Sequence, residues 1–124
     1  MEIVLYQPEI AGNVGAIIRL AANSGISLNL IKPFGFDLQE NKIRRAGLDY
    51  HDLSNTKTYN SWEEFIETNK TKSICCLSSK GIDSYWDTNL NQYDFLLFGP
   101  ESIGLPAEII SSYKTITIPM KENS

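Results

Sequence analysis

Short apolar runs alternate with segments of helical period along this chain, the pattern of a mostly parallel sheet covered by helices. Ile3-Val4-Leu5-Tyr6 reads as a first strand, stopped by Pro8. Asn13 then stands where a helix N-cap belongs, ahead of Ile17, Leu20, Ala21 and Ser24 at helical spacing, and Gly25 supplies the stop. Leu28-Asn29-Leu30-Ile31 is a second strand, ended by Pro33 and Gly35, and Glu40 to Ala46 predicts a short basic helix closed by Gly47. Ser61-Trp62-Glu63-Glu64 has the form of a capping box, in which hydroxyl and carboxylate each satisfy a backbone N–H that the helix start leaves unpaired. The helix it opens runs to about Thr68 and places Trp62, Phe65 and Ile66 on one face. Ser73 to Leu77 reads as the next strand. Phe95-Leu96-Leu97-Phe98 is the most apolar one and is expected at the centre of the sheet, since both its faces call for burial. Pro106 suits a first helical position ahead of Ala107 to Ser112, and Thr115-Ile116-Thr117-Ile118 alternates as a last strand.

With 124 residues, 42% of them hydrophobic, the chain can form one core as a single domain without disulfide or metal staples. Eleven Lys and Arg against fifteen Asp and Glu give a net charge of −4, which excludes a wholly basic nucleic-acid coat and leaves room for a local basic patch. Cys75 and Cys76 are adjacent on a predicted strand, so their side chains diverge to opposite faces and into packing, a usage suited to a reducing compartment. One histidine, His51, and no C-x-x-C spacing leave little from which to build a zinc site, and none is expected. No secretory n-region precedes the first strand and no apolar stretch reaches the ~18 residues of a membrane span. The expected location is the cytoplasm.

In open α/β sheets, ligands gather outside the carboxyl ends of the strands. The segments that follow the strands, Gln7 to Arg19, Ser78 to Gly81, Gly99 to Pro106 and Pro119 to Ser124, are therefore the candidate chemistry. Neither G-x-G-x-x-G nor G-x-x-x-x-G-K-[ST] occurs, which argues against dinucleotide or P-loop phosphate binding, and no G-x-S-x-G marks a hydrolase. On the residues alone, Asn13 is a helix cap, Arg19 a solvated helix residue and His51 an ordinary loop histidine.

Six blocks in order carry more than this. They are Tyr6-Gln7-Pro8-Glu9-Ile10, then Asn13 to Arg19 with Ala22-Asn23-Ser24-Gly25, then Arg44 to His51, Ser79-Lys80-Gly81, Phe98-Gly99-Pro100-Glu101 with Gly104-Leu105-Pro106, and Ile118-Pro119-Met120. With them the chain resembles, over nearly its whole length, the SPOUT superfamily of trefoil-knotted RNA methyltransferases. The likeness is to the small single-domain enzymes that methylate the ribose of the tRNA wobble nucleotide.

The resemblance implies an α/β fold with a mostly parallel sheet, helices on both faces and a SPOUT-type knot. It implies S-adenosylmethionine-dependent 2'-O-methylation of cytidine or uridine 34 in tRNA, by a cytoplasmic homodimer that reads the anticodon stem-loop without metal or membrane. It assigns catalysis to Arg19 with Asn13 as its motif partner. Cofactor contacts fall to Leu77, Gly99, Glu101, Gly104, Ile118 and Met120. RNA contacts fall to Arg44, Arg45, Tyr50, His51 and Lys80, with Lys42 extending the basic cluster.

The sequence departs from that family in two places. Ile103 stands where relatives often carry arginine, and at Ser124 relatives continue with an Arg-Ser-x-Asn-Leu-Ser segment and a long helix. The chain is thus either a fragment of a longer product or a truncated protein, and only in the second case is the expected knot incomplete. A catalytically impaired RNA-binding module of the same fold is the alternative reading, and a generic α/β small-molecule binder is a third, disfavoured by the missing phosphate fingerprints.

Overall fold

A computed structural model of the chain describes residues 1–35, 53–78, 83–84 and 90–117. Among them seven strands form one sheet: β1 (Glu2–Tyr6), β2 (Leu28–Ile31), β3 (Thr56–Tyr59), β4 (Ile74–Leu77), β5 (Asp83–Ser84), β6 (Phe95–Phe98) and β7 (Lys114–Thr117). The order is β3-β2-β1-β6-β4-β7-β5, and every pairing is parallel. The apolar strand β6 is the middle one, as its two-sided hydrophobicity requires, with Phe95, Leu96 and Leu97 all buried.

The helices α1 (Ala11–Ser24), α2 (Trp62–Thr68) and α3 (Ala107–Ser112) cover both faces. On one face Val14, Ile18 and Ala21 of α1 pack on Leu5, Leu28 and Leu30. On the other, Phe65 of α2 and Ile109 of α3 pack on Val4, Ile31, Ile74, Cys76, Phe95 and Leu97. Phe65 is the hub of that layer, with ring centroids 5.0 Å from Tyr59 and Phe95 and 5.7 Å from Trp62. Cys75 and Cys76 diverge as expected, the first packing with Leu77, Leu96 and Ile116 and the second facing α2 and α3. Burial raises both thiols, Cys76 to about 11.

Several local expectations need correction. Asn13 is not the cap of α1: the chain leaves β1 through Gln7, whose φ is 46°, and Pro8, and Ile10 takes the cap position without a side-chain hydrogen bond. Helical bonding has therefore begun before Asn13, the Ile10 carbonyl accepting the Val14 N–H at 3.1 Å. The buried stripe of α1 is Val14, Ile18 and Ala21, and Leu20 is 67% exposed, because the doublet Ile17-Ile18 offers two registers and the sheet takes the second. Gly25 does end the helix, in the left-handed conformation at φ 71° that a C-cap requires. Pro106 sits one place before α3, as its cap. β7 begins at Lys114 and buries both Thr115 and Ile116 instead of alternating, the Thr115 hydroxyl being satisfied by the Ile110 and Tyr113 carbonyls. The basic helix expected over 40–46 and the knot expected past β7 lie outside the described residues. No helix among those described is long and apolar enough to cross a membrane.

Candidate functional site

The carboxyl ends of β4 and β6 open into a cleft of about 430 Å³, walled by Leu77, Ser78, Phe98, the segment Gly99 to Leu105, and Ile110 from α3. Its size and mixed apolar and polar lining are those of a small-molecule site. It exists because β6 leads not into a helix at once but into a tight excursion. Within that excursion Gly104 N–H donates to the Pro100 carbonyl at 2.9 Å, and Gly104 turns at φ 72°. Leu105 then drops into the core and anchors the far end.

Gly99 is required here by the loop itself. A Cβ at that position would lie 2.5 Å from the Leu105 nitrogen and 2.6 Å from the Gly104 carbonyl carbon. The glycine thus lets two stretches of one loop touch.

A second set of contacts ties this loop to the turn after β1. The Glu9 carboxylate accepts the Ser102 N–H at 2.8 Å and the Ser102 hydroxyl at 2.7 and 2.8 Å, while Glu9 donates its own N–H to the Glu101 carboxylate at 3.0 Å. The Ser102 N–H, and then its hydroxyl, hold the Glu9 carboxyl below the usual carboxylate range.

Of the residues singled out in the sequence, Leu77, Gly99, Glu101 and Gly104 come together on this one cleft. Asn13 and Arg19 are exposed on α1 and do not line it. Ile118, Met120, Arg44, Arg45, Tyr50, His51 and Lys80 lie outside the described residues, as does Lys42. Ser78 and Ser102 lie inside the candidate segments 78–81 and 99–106 without an individual role there, and Ile110 was not singled out, since only folding brings 9 beside 102 and carries α3 over β4. A second hollow of about 390 Å³ sits at the carboxyl ends of β1 and β2, beside α2 and α3, lined in part by Tyr6, Trp62, Glu63, Glu108 and Tyr113. Burial, then the Glu63 and Glu108 carboxylates, raise the Tyr6 phenol there. Among the described residues no group of three metal-ligating side chains occurs.

A parallel sheet with helices on both faces and a glycine-built cleft at the carboxyl ends of its central strands defines an α/β ligand-binding domain of the open-sheet class. Within that class the chain belongs to the SpoU rRNA Methylase family, which matches residues 1–124. It is 42% identical, over 98% of this chain and 81% of the relative, to the tRNA (cytidine(34)-2'-O)-methyltransferase of Saccharophagus degradans. A solved structure described as giving insights into the 2-OH methylation of C/U34 on tRNA is 41% identical and superposes with a TM-score of 0.87, covering 96% of this chain and 79% of that one. The SpoU methyltransferase AviRb from Streptomyces viridochromogenes, solved in complex with the cofactor AdoMet, is 21% identical with a TM-score of 0.81, over all of this chain and 50% of that one, and shows the same fold.

Proposed function

We infer that the protein is an S-adenosylmethionine-dependent tRNA methyltransferase that modifies the ribose 2'-hydroxyl of the wobble nucleotide, cytidine or uridine 34. The observation that carries this is the likeness at 42% identity along essentially the entire chain to an enzyme of that name. The cleft suits the cofactor: its volume is that of a ligand site, Leu77, Phe98 and Ile110 offer apolar wall, and the turns at Ser78 and 99–104 offer backbone groups.

When bound, S-adenosylmethionine supplies an electrophilic methyl group. The chain's own residues have three tasks. Leu77, Ser78, Glu101 and the backbone of Gly99 to Gly104 hold and orient the cofactor, joined by Ile118 and Met120, which follow β7 in the sequence. Arg19, with Asn13, engages the RNA backbone beside the target ribose or steadies the negative charge that grows on the 2'-oxygen as its proton leaves to solvent. A guanidinium remains protonated at any working pH and is no general base. Arg44, Arg45 and Lys80 bind phosphates, and Tyr50 and His51 stack on bases of the anticodon loop. The chain forms one domain, and the enzyme works in the cytoplasm as a homodimer.

The test is methyl transfer from labelled S-adenosylmethionine to a tRNA transcript, with the product located by nuclease digestion and mass spectrometry. Label at the ribose of nucleotide 34, abolished by a 2'-deoxy substitution there, is the expected result. Tight tRNA binding with no transfer would replace the enzyme by an RNA-binding module of the same fold.

A further inference from the structure

We propose that Glu9 is a positioning residue for methyl transfer, its carboxylate holding the 99–105 loop in the shape of the cleft and fixing that loop to the start of α1. This rests on the reading of the cleft as the cofactor site. β1 and β6 are neighbours in the sheet, Leu5 pairing with Phe98, so residues 7–9 and 99–102 leave adjacent strands side by side. Two independent anchors then set the outer loop. One is the burial of Leu105, which is 6% exposed, and the other is the lacing of Glu9 to Ser102 and Glu101. The residue between them, Ile103, is 78% exposed and anchors nothing.

The lacing is reciprocal. Ser102 gives both its donors to Glu9, and Glu9 returns its backbone N–H to Glu101, the other carboxylate at this junction. Exposed hydrogen bonds of this kind add little to global stability, because water competes for every group involved. Their effect is local: they select one loop geometry from those a glycine-flanked turn can adopt, and that geometry is the cleft wall. The same bonds fix the entry to α1, four residues ahead of Asn13 and ten ahead of Arg19, so one carboxylate registers the cofactor wall against the helix assigned to the RNA.

The experiment compares parent, Glu9→Ala, Glu9→Gln, Ser102→Ala and the Glu9→Ala/Ser102→Ala double variant in the full chain, by steady-state methylation kinetics and thermal melting. Glu9→Ala is expected to raise KM for S-adenosylmethionine roughly tenfold, the scale of one lost charge-assisted anchor. The melting temperature stays at the parental value. Glu9→Gln keeps one acceptor oxygen and recovers most of the affinity, and Ser102→Ala adds nothing once Glu9 is alanine. A merely structural role would instead lower the melting temperature and leave KM and its rescue unmoved. Amide chemical shifts on adding S-adenosylmethionine separate the two layers of inference. Shifts at Leu77, Ser78 and Gly104 with a parental KM in Glu9→Ala overturn the positioning role and leave the cleft reading standing. The absence of those shifts in the parent overturns both.

Discussion

Replacing Gly99 by alanine tests whether the cleft is shaped by close backbone contact. The added Cβ would stand 2.5 Å from the Leu105 nitrogen, 2.6 Å from the Gly104 carbonyl carbon and 3.0 Å from Leu105 Cγ. Non-bonded carbon contacts are comfortable from about 3.5 Å, so the Gly104–Leu105 peptide has to retreat by about 1 Å. Side-chain rotation cannot relieve this, because two of the three atoms are backbone. Nor is that backbone free to move, since Gly104 is held by its bond to Pro100 and Leu105 is inserted in the core. Overpacking of this kind costs about 1–3 kcal/mol, and a backbone obstacle puts Gly99→Ala toward the upper end. Gly104→Ala is the internal comparison: its Cβ meets nothing within 4 Å, but φ is 72°, for which a left-handed alanine costs roughly 1–2 kcal/mol. Urea unfolding gives both values, and calorimetry with S-adenosylmethionine is expected to show Gly99→Ala losing cofactor affinity in parallel with stability. A Gly99→Ala protein within about 0.5 kcal/mol of the parent, the range of an ordinary surface change, would refute the reasoning.

Three other outcomes follow from the same packing and site assignments. Phe65→Ala empties the hub of the α2–α3 layer, where Phe65 is wholly buried, and should lower unfolding free energy by about 3–5 kcal/mol in chemical denaturation. Cys76 keeps its proton in the fold up to about pH 11, above the ordinary 9.0, so its contribution is complete below pH 9 and is lost as pH rises through 9 to 11, where the unfolded thiol ionises first. Cys76→Ala should therefore flatten the fall in urea midpoint between pH 8 and 10.5, the rest of the fall coming from Cys75, Tyr6 and Tyr113, whose protons burial also retains. Arg19→Lys keeps the charge and loses the planar fork; single-turnover methylation at saturating enzyme and cofactor should drop steeply while melting temperature and cofactor affinity stay parental. A parental rate would return Arg19 to the role of a surface residue of α1.

How far the sequence could be read depended on whether a residue's signal was local. β1, β4 and β6 announce themselves by continuous apolar runs and β2 by one broken only at Asn29, and the serine half of the capping box is realised, with Ser61 accepting the Glu64 N–H at 3.0 Å. The Glu64 carboxylate nevertheless reaches one residue further back than the motif predicts, to the Asn60 N–H at 2.7 Å. β3 went unread because Thr56-Lys57-Thr58-Tyr59 is an edge strand with two exposed middle residues and no apolar run to mark it. β5 is two residues long and exists only by pairing with β7. The cleft glycines were legible as positions, but the reason for Gly99 was not. Chain pattern suggested an approaching ligand, and the neighbour that fills the space is Leu105, six residues on. The lacing of Glu9 to Ser102 spans 93 positions and has no sequence signature at all.

The strand order explains why the cleft lies where it does. The chain runs outward from β1 to β2 and β3, then returns on the other side of β1, so the reversal falls between β1 and β6. Open α/β sheets ordinarily receive ligands at that reversal, because the loops from the two strands part there and leave a crevice. Here the parting loops are drawn together by Glu9, Glu101 and Ser102, and the crevice is bridged. A second opening arises next door, since β6 lies between β1 and β4 while its continuation through α3 passes beyond β4 to β7. The excursion from Gly99 to Leu105 rides over the ends of β6 and β4 on that path and leaves the space walled by Leu77, Ser78 and Ile110. Bridging the first opening is thus what gives the second a fixed wall: the loop is shared, and a carboxylate that closes one side of it defines the other.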